Sequence, residues 1–335
     1  MLRWRFFVSF SLLALVNFIQ SCNNKEETSG FSEILSQPPY VSITDSLKKN
    51  SSDAGMYYRR GILLKKNNYT DPALADFQKA WSLSPQEEYG VAVSNILLQK
   101  HPDSAIRFLN QALQKIPSSL FFKLNLAQGY INQNKPAEAL KLINDILVTE
   151  PTLINALMMK SELLEKTNNK AEALSTLERA WQLAPFDVEL SYDLAFKYAE
   201  DKNPKALVLA DSLLRMDTSG RHAEPYYIKG VYFSNTGNKE KALLFFNEAT
   251  RHDYYFLDAY LEKGRILYDQ KKFAEALKVF QLAATITPTF ADAYYWLGKC
   301  QEQLNQKEEA RLNYRRAYGL DKTLTEAKEA AERLN

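Results

Sequence analysis

An alanine returns along this chain with a period that leaves few architectures open. It stands at Ala73, Ala105, Ala139, Ala173, Ala206, Ala242, Ala276 and Ala310, in steps of 32, 34, 34, 33, 36, 34 and 34 residues. A period of that length means that one supersecondary unit is being copied, and a unit that cannot bury its apolar face alone must stack on its neighbours. The stretch 257–290 is the cleanest copy: LDAYLEKGRILYDQKKFAEALKVFQLAATITPTF, two amphipathic helical patterns in a row. Two helices cross closely only where small side chains meet. Gly264 and Ala276 supply that gap, with Tyr260, Leu267 and Phe280 filling the space around it. Pro288 then ends the second helix, having no amide donor.

The other landmarks recur with the alanine. The eighth place holds Gly61, Ala127, Ser161, Ala195, Gly230, Gly264 and Gly298, and Val93 is its one bulky occupant. Pro85, Pro117, Pro151, Pro185 and Pro288 mark exits, with Thr218, Tyr254 and Lys322 in the remaining copies. Together these landmarks resemble the tetratricopeptide repeat (TPR). The resemblance implies an all-α fold: a right-handed superhelical solenoid of about eight TPR helix hairpins with a C-terminal capping helix. The repeats are placed at 54–85, 86–119, 120–153, 154–187, 188–222, 223–256, 257–290 and 291–324, and the closing helix in 325–335. Residues 42–53 read as a half repeat or cap, with Ile43, Ser46 and Leu47 turned inward. Repeat five carries an extra stretch, 218–222, which is either a loop insertion or a joint where curvature changes.

The first 21 residues do not belong to that body. Arg3 and Arg5 precede an apolar stretch from Phe6 to Ile19, too short to span a bilayer comfortably and suited to a signal peptide. Ile19, Gln20, Ser21 and Cys22 then resemble a bacterial lipoprotein signal, which implies lipidation of Cys22 and a membrane contact made by acyl chains. The alternative is an ordinary signal peptide with an incidental cysteine. Residues 22–41 are rich in Ser, Thr, Gln, Gly and Pro and read as a flexible tether. The expected address is the bacterial envelope, at the outer membrane, and the acids Glu26 and Glu27 resemble a signal for display on the outer face.

Charge argues against nucleic acid. Without Arg3 and Arg5 the chain keeps 40 basic side chains against 40 acidic ones, whereas a phosphate-backbone binder needs a basic excess. His101, His222 and His252 fall in different repeats at a turn, an insertion and a helix end, so they do not form the helical pair that a zinc site uses. Cys300 reads as a small buried thiol. No catalytic set, metal site or cofactor is implied, and the chain is not expected to be an enzyme.

A binding surface is better marked. In tetratricopeptide arrays the second, fifth, ninth, twelfth and thirteenth places of the first helix face the concave groove, which implies a partner protein or extended peptide lying there. Those places give Tyr192, Phe196, Tyr227, Arg265, Tyr268, Tyr295 and Lys299, a line of aromatics with two cations, and the acids Glu189, Glu224, Asp258 and Asp292. Tyrosine suits recognition because it offers a large contact area with little rotamer entropy to lose. The acids either stabilise the helix dipole in each first turn or form a rim selecting a basic or amide-rich partner. The lysine and asparagine clamp by which one variant of the fold holds a terminal carboxylate is missing, since Tyr58 and Ile62 occupy its places. The expected function is a membrane-anchored interaction scaffold. The alternative is a glycan- or ligand-binding lipoprotein serving uptake or cell-wall turnover.

Overall fold

The computed structural model describes residues 31–334 except 218, 219 and 221. Among these there are nineteen helices and no strand. Two short helices, α1 (Ser32–Leu35) and α2 (Val41–Lys49), lead into hairpins α3 (Ala54–Lys66) with α4 (Thr70–Leu83) and α5 (Glu87–Lys100) with α6 (Pro102–Lys115). Next come α7 (Leu120–Asn132), α8 (Pro136–Thr149), α9 (Ile154–Lys166) with α10 (Lys170–Leu183), and α11 (Val188–Glu200) with α12 (Lys205–Met216). The chain continues with α13 (Glu224–Asn235) and α14 (Lys239–His252), α15 (Leu257–Asp269) and α16 (Phe273–Ile286), and α17 (Ala291–Gln303) and α18 (Lys307–Leu320). It closes with α19 (Thr325–Arg333). The described residues divide into two compact units, one running up to Lys135 and the other beginning at Pro136. Within each, helices pack on their neighbours in chain order.

The period is written into two buried devices. The first is the landmark alanine, which is buried in all eight copies. The second is a glycine carrying an aromatic ring sixteen residues further on: Gly61 lies under Phe77, Gly230 under Phe246, Gly264 under Phe280 and Gly298 under Tyr314. A Cβ at Gly264 would stand 2.3 Å from the Phe280 ring, so the glycine is required by close approach rather than by its backbone angles. The sequence reading put Ala276 opposite Gly264; the ring of Phe280 fills that place.

Turns repeat as strictly as the core. The fifteenth place has a positive φ in seven repeats, at Asn68, Asn134, Asn168, Lys202, Gly237, Lys271 and Asn305. In each the next residue donates its N–H five residues back, as Tyr69 does to Leu64 (2.9 Å) and Lys272 to Leu267 (2.9 Å), closing the first helix with a Schellman turn. Several first helices then start on a side-chain cap: Asp53 accepts from Met56 N (2.9 Å), Ser119 from Phe122 N (3.0 Å) and Asp187 from Leu190 N (3.0 Å).

The part of the expected tether that is described, residues 31–41, is not extended. It contains α1, and Tyr40 is buried with its ring edge-on to Tyr69 at 6.1 Å, because that ring finds apolar surface on the first hairpin. Leu47 of α2 is buried, and Arg60 ties α2 to α3 by donating to Thr44 Oγ1 (2.9 Å) while its other nitrogens hold Asp76 at 2.7 Å. In repeat five the described part of the insertion is pinned by Asp217, whose carboxylate accepts from Gly220 N (3.0 Å) and His222 N (3.1 Å). Cys22 and the signal segment lie outside the described residues.

Candidate functional site

All the residues singled out for the groove sit on first helices of the second unit, and the structure gathers them into two groups. The upper group begins at Tyr192 on α11, half-buried 6.4 Å from the His222 ring. Its hydroxyl is pushed up to about 12 by burial, with Glu224 and Asp217 adding to the effect. One helical turn on, Phe196 stacks on Tyr227 of α13, with centroids 6.1 Å apart and planes within 9°. Tyr227 in turn touches Phe246 at 5.6 Å and Phe256 at 5.1 Å, so it joins the groove face to the core beneath. Burial raises its hydroxyl pKa, reinforced by Glu262 and Asp258.

The lower group is built around Trp296, which the sequence reading did not choose because it occupies no groove place. Its ring packs against Tyr268 (5.4 Å), Phe280 (5.6 Å) and Tyr295 (5.9 Å). Lys299 Nζ lies 4.6 Å from the Trp296 centroid, 5.5 Å from Tyr268 and 5.6 Å from Tyr295, so three rings surround one ammonium. Arg265 is exposed, sits 5.6 Å over Trp296 and pairs with Glu262 at 2.8 Å.

Beside that cage a cavity of about 540 Å³ opens between α15, α17, α18 and α19. Tyr268, Tyr295, Lys299, Glu302, Glu326 and Arg333 line it. Arg333 donates both nitrogens to Glu302, at 2.6 and 2.9 Å, and holds that carboxyl below its ordinary range. Tyr295 donates to Glu326 (3.1 Å), and its hydroxyl is pushed up to about 12 by burial and that bond. Glu302 stood at a twelfth place and was legible by the same rule that chose Tyr268. Glu326 and Arg333 were not, because α19 was read only as a cap; it also extends the face by one more helix.

The acids behave unevenly. Glu224 lies 3.8 Å from His222 Nδ1, Asp258 is exposed, and Asp292 is half-buried. The Asp292 carboxyl is raised by burial and then by Asp321 and Asp258, with Arg265 opposing. The fifth place is not groove throughout the chain: Gly90 is buried under Phe122 and Trp81, and Tyr58 leans on Phe77 and Tyr89. Cys300 is buried and its thiol pushed up to about 12, so it stays protonated at neutral pH. Among the described residues no group of three or more His, Cys, Asp or Glu is placed to hold a metal, and no helix is long and apolar enough to cross a membrane.

Family models match this kind of repeat over more than half of the chain. One described as a tetratricopeptide repeat matches 54–87, 223–253 and 291–324; another of that description matches 97–163; a third, a TPR repeat, matches 264–305. The chain is a tetratricopeptide-repeat protein. A tetratricopeptide repeat protein from Parabacteroides merdae, known from its crystal structure, shares the fold: TM-score 0.61, 20% identity, 74% of this chain and 98% of that one covered. The chain is also similar to human protein O-mannosyl-transferase TMTC3, at 21% identity over 290 residues, or 79% of this chain. Superkiller protein 3 of Schizosaccharomyces pombe is 25% identical over 271 residues, or 71% of this chain. The chain spans 31% and 19% of the lengths of those two relatives. On the tetratricopeptide frame Tyr192, Phe196 and Tyr227 make one aromatic group, and Tyr268, Tyr295 and Lys299 belong to another.

Proposed function

We propose that the protein is an interaction scaffold that docks a partner protein or an extended peptide along the first-helix face of α11 to α19, and that a lipid on Cys22 holds it to the outer membrane of a bacterial envelope. One observation carries the docking reading. Half-exposed rings on successive first helices are already ordered against one another, as in the Phe196–Tyr227 stack and the cage around Lys299. A preordered aromatic surface loses little entropy on binding, which is what makes such side chains strong contacts. The double variant Tyr192→Ala, Tyr227→Ala is expected to weaken partner binding at least tenfold, about 1.4 kcal/mol. Because Tyr227 also touches the core, circular dichroism of the variant must first match the parent. Unchanged affinity in a folded variant removes the groove assignment.

The anchor rests on the residues before and at Cys22 and has its own test. Palmitate labelling of cells is expected to mark the parent chain and not Cys22→Ala, and equal labelling of both refutes it. A second reading is favoured by the cavity beside Lys299. Tyrosine rings flanked by Glu302, Glu326 and Arg333 offer both a stacking surface and hydrogen-bonding groups, the combination that a glycan ring uses. Oligosaccharide binding by the purified chain, lost in Tyr268→Ala, would support it.

A further inference from the structure

The docking face of the second unit carries a free charge of one sign. Its second place is acidic in every first helix from α11 onward: Glu189, Glu224, Asp258, Asp292 and, on α19, Glu326. First-turn acids also occur on second helices, where the helix dipole is reason enough for them. What differs here is the company they keep. Glu189, Asp258 and Asp292 form no ion pair among the described residues, and Glu326 accepts only the Tyr295 hydroxyl.

The cations of the same face are already engaged. Arg265 is held by Glu262, Arg333 by Glu302, and Lys299 by three rings. Like charges then crowd across repeats: burial comes first, but Asp321 and Asp258 raise the Asp292 carboxyl further, against the pull of Arg265. Such crowding costs folding stability and is relieved by a cation brought from outside. The rings fit the same visitor. The cage around Lys299 shows that this face presents ring faces to an ammonium group, and the Phe196–Tyr227 stack offers a second aromatic surface near Asp258 and Glu262.

We propose that this face takes an extended, cationic segment of a partner protein, with lysine or arginine recurring along it in step with the row of acids. The inference rests on the docking reading above and adds the chemistry of the occupant. If successive first helices are spaced like packed helices, about 10 Å apart, an extended chain that rises about 3.3 Å per residue matches the row of acids with a cation at roughly every third residue.

The test uses the full chain and labelled peptides of about twelve residues, which reach roughly 40 Å when extended. One carries Lys at every third position between Tyr and Ser, and twins carry Glu or Gln instead. The Lys peptide is expected to bind at least tenfold tighter than the Glu twin. The margin should shrink in about 1 M salt, where the screening length falls to about 3 Å. Asp258→Lys with Asp292→Lys should reverse the preference; Asp258→Asn with Asp292→Asn, which leaves no new charge, should abolish it if the reversal variant fails to fold. Equal binding of all three peptides, weakened in Tyr192→Ala, would leave the docking face standing and overturn the charge assignment. Binding of none of them would overturn both, and capture of a neutral oligosaccharide instead would give the face to a carbohydrate.

Discussion

In repeat seven the chain passes from α15 to α16 through Lys271, held at φ +62°, and in repeat two it passes from α5 to α6 through His101 at φ −144° with Pro102 opening the second helix. The two hairpins share a period but are joined and packed differently. Repeat seven lays Phe280 on the bare backbone of Gly264, whereas repeat two sets Val93 and Leu109 in the corresponding places, both fully buried. Its close glycine contact has moved to Gly90, under Phe122 and Trp81. The period therefore belongs to the volume that each hairpin must fill, and not to any one pair of residues. A large ring on a glycine and two medium side chains are alternative fillings of one space.

That comparison can be broken most forcefully at the ring. Phe280→Ala should destabilise the protein by about 3–5 kcal/mol, since it empties a fully buried site. Leu109→Ala should cost about 2–4 kcal/mol, because fewer atoms leave. Urea unfolding followed by circular dichroism reads both, and a larger loss at Leu109 would mean that repeat two is the better packed. Gly264→Ala comes next. Alanine is the better helix former by about 1 kcal/mol, yet its methyl would sit 2.3 Å from the Phe280 ring. Overpacking of that kind costs about 1–3 kcal/mol and should win. Adding Phe280→Leu, which makes repeat seven resemble repeat two, should return part of the loss.

The joints give the sharpest test, because one substitution changes sign between them. Lys271→Gly should stabilise the protein by about 0.5–1 kcal/mol, since glycine adopts a positive φ without strain from Cβ. Lys100→Gly should destabilise it by about 1 kcal/mol: Lys100 ends α5 with ordinary helical geometry and pairs with Asp71. Equal effects would mean that the two turns do not differ as described.

Much of the fold was legible, for a physical reason. Stacking units must reuse one contact surface, so the alanine, the small eighth place and the turn asparagines repeat visibly in the residues. The geometry of the candidate binding face was legible only in part. Places on a helix name the side chains that face one way, and Tyr268, Tyr295 and Lys299 indeed line one cavity. Trp296 was missed because its place points sideways along the stack, where it becomes the plate on which Lys299 and Arg265 rest. Arg333 was missed because its bidentate hold on Glu302 joins residues 31 apart, and no local pattern announces such a partner.

The smallest expected effect separates a residue kept for binding from one kept for stability. Asp292 has its carboxyl raised in the folded protein by burial and by neighbouring Asp321 and Asp258. A group raised in this way contributes stability that is fully present below its unfolded value, about 3.9, and is lost as the pH climbs through the folded value. Above that window the ionised carboxylate is a burden that asparagine does not carry. Asp292→Asn should therefore be more stable than the parent at pH 7 by a few tenths of a kcal/mol, and the margin should vanish on acidification below pH about 3.9. Thermal unfolding at the two pH values measures it. If the same variant also binds the Lys peptide more weakly, the carboxylate is held at that place against the interest of the fold. A margin that persists in acid would instead mean that asparagine gains through some uncharged contact, and the crowding of acids on this face would lose its meaning as a binding signal.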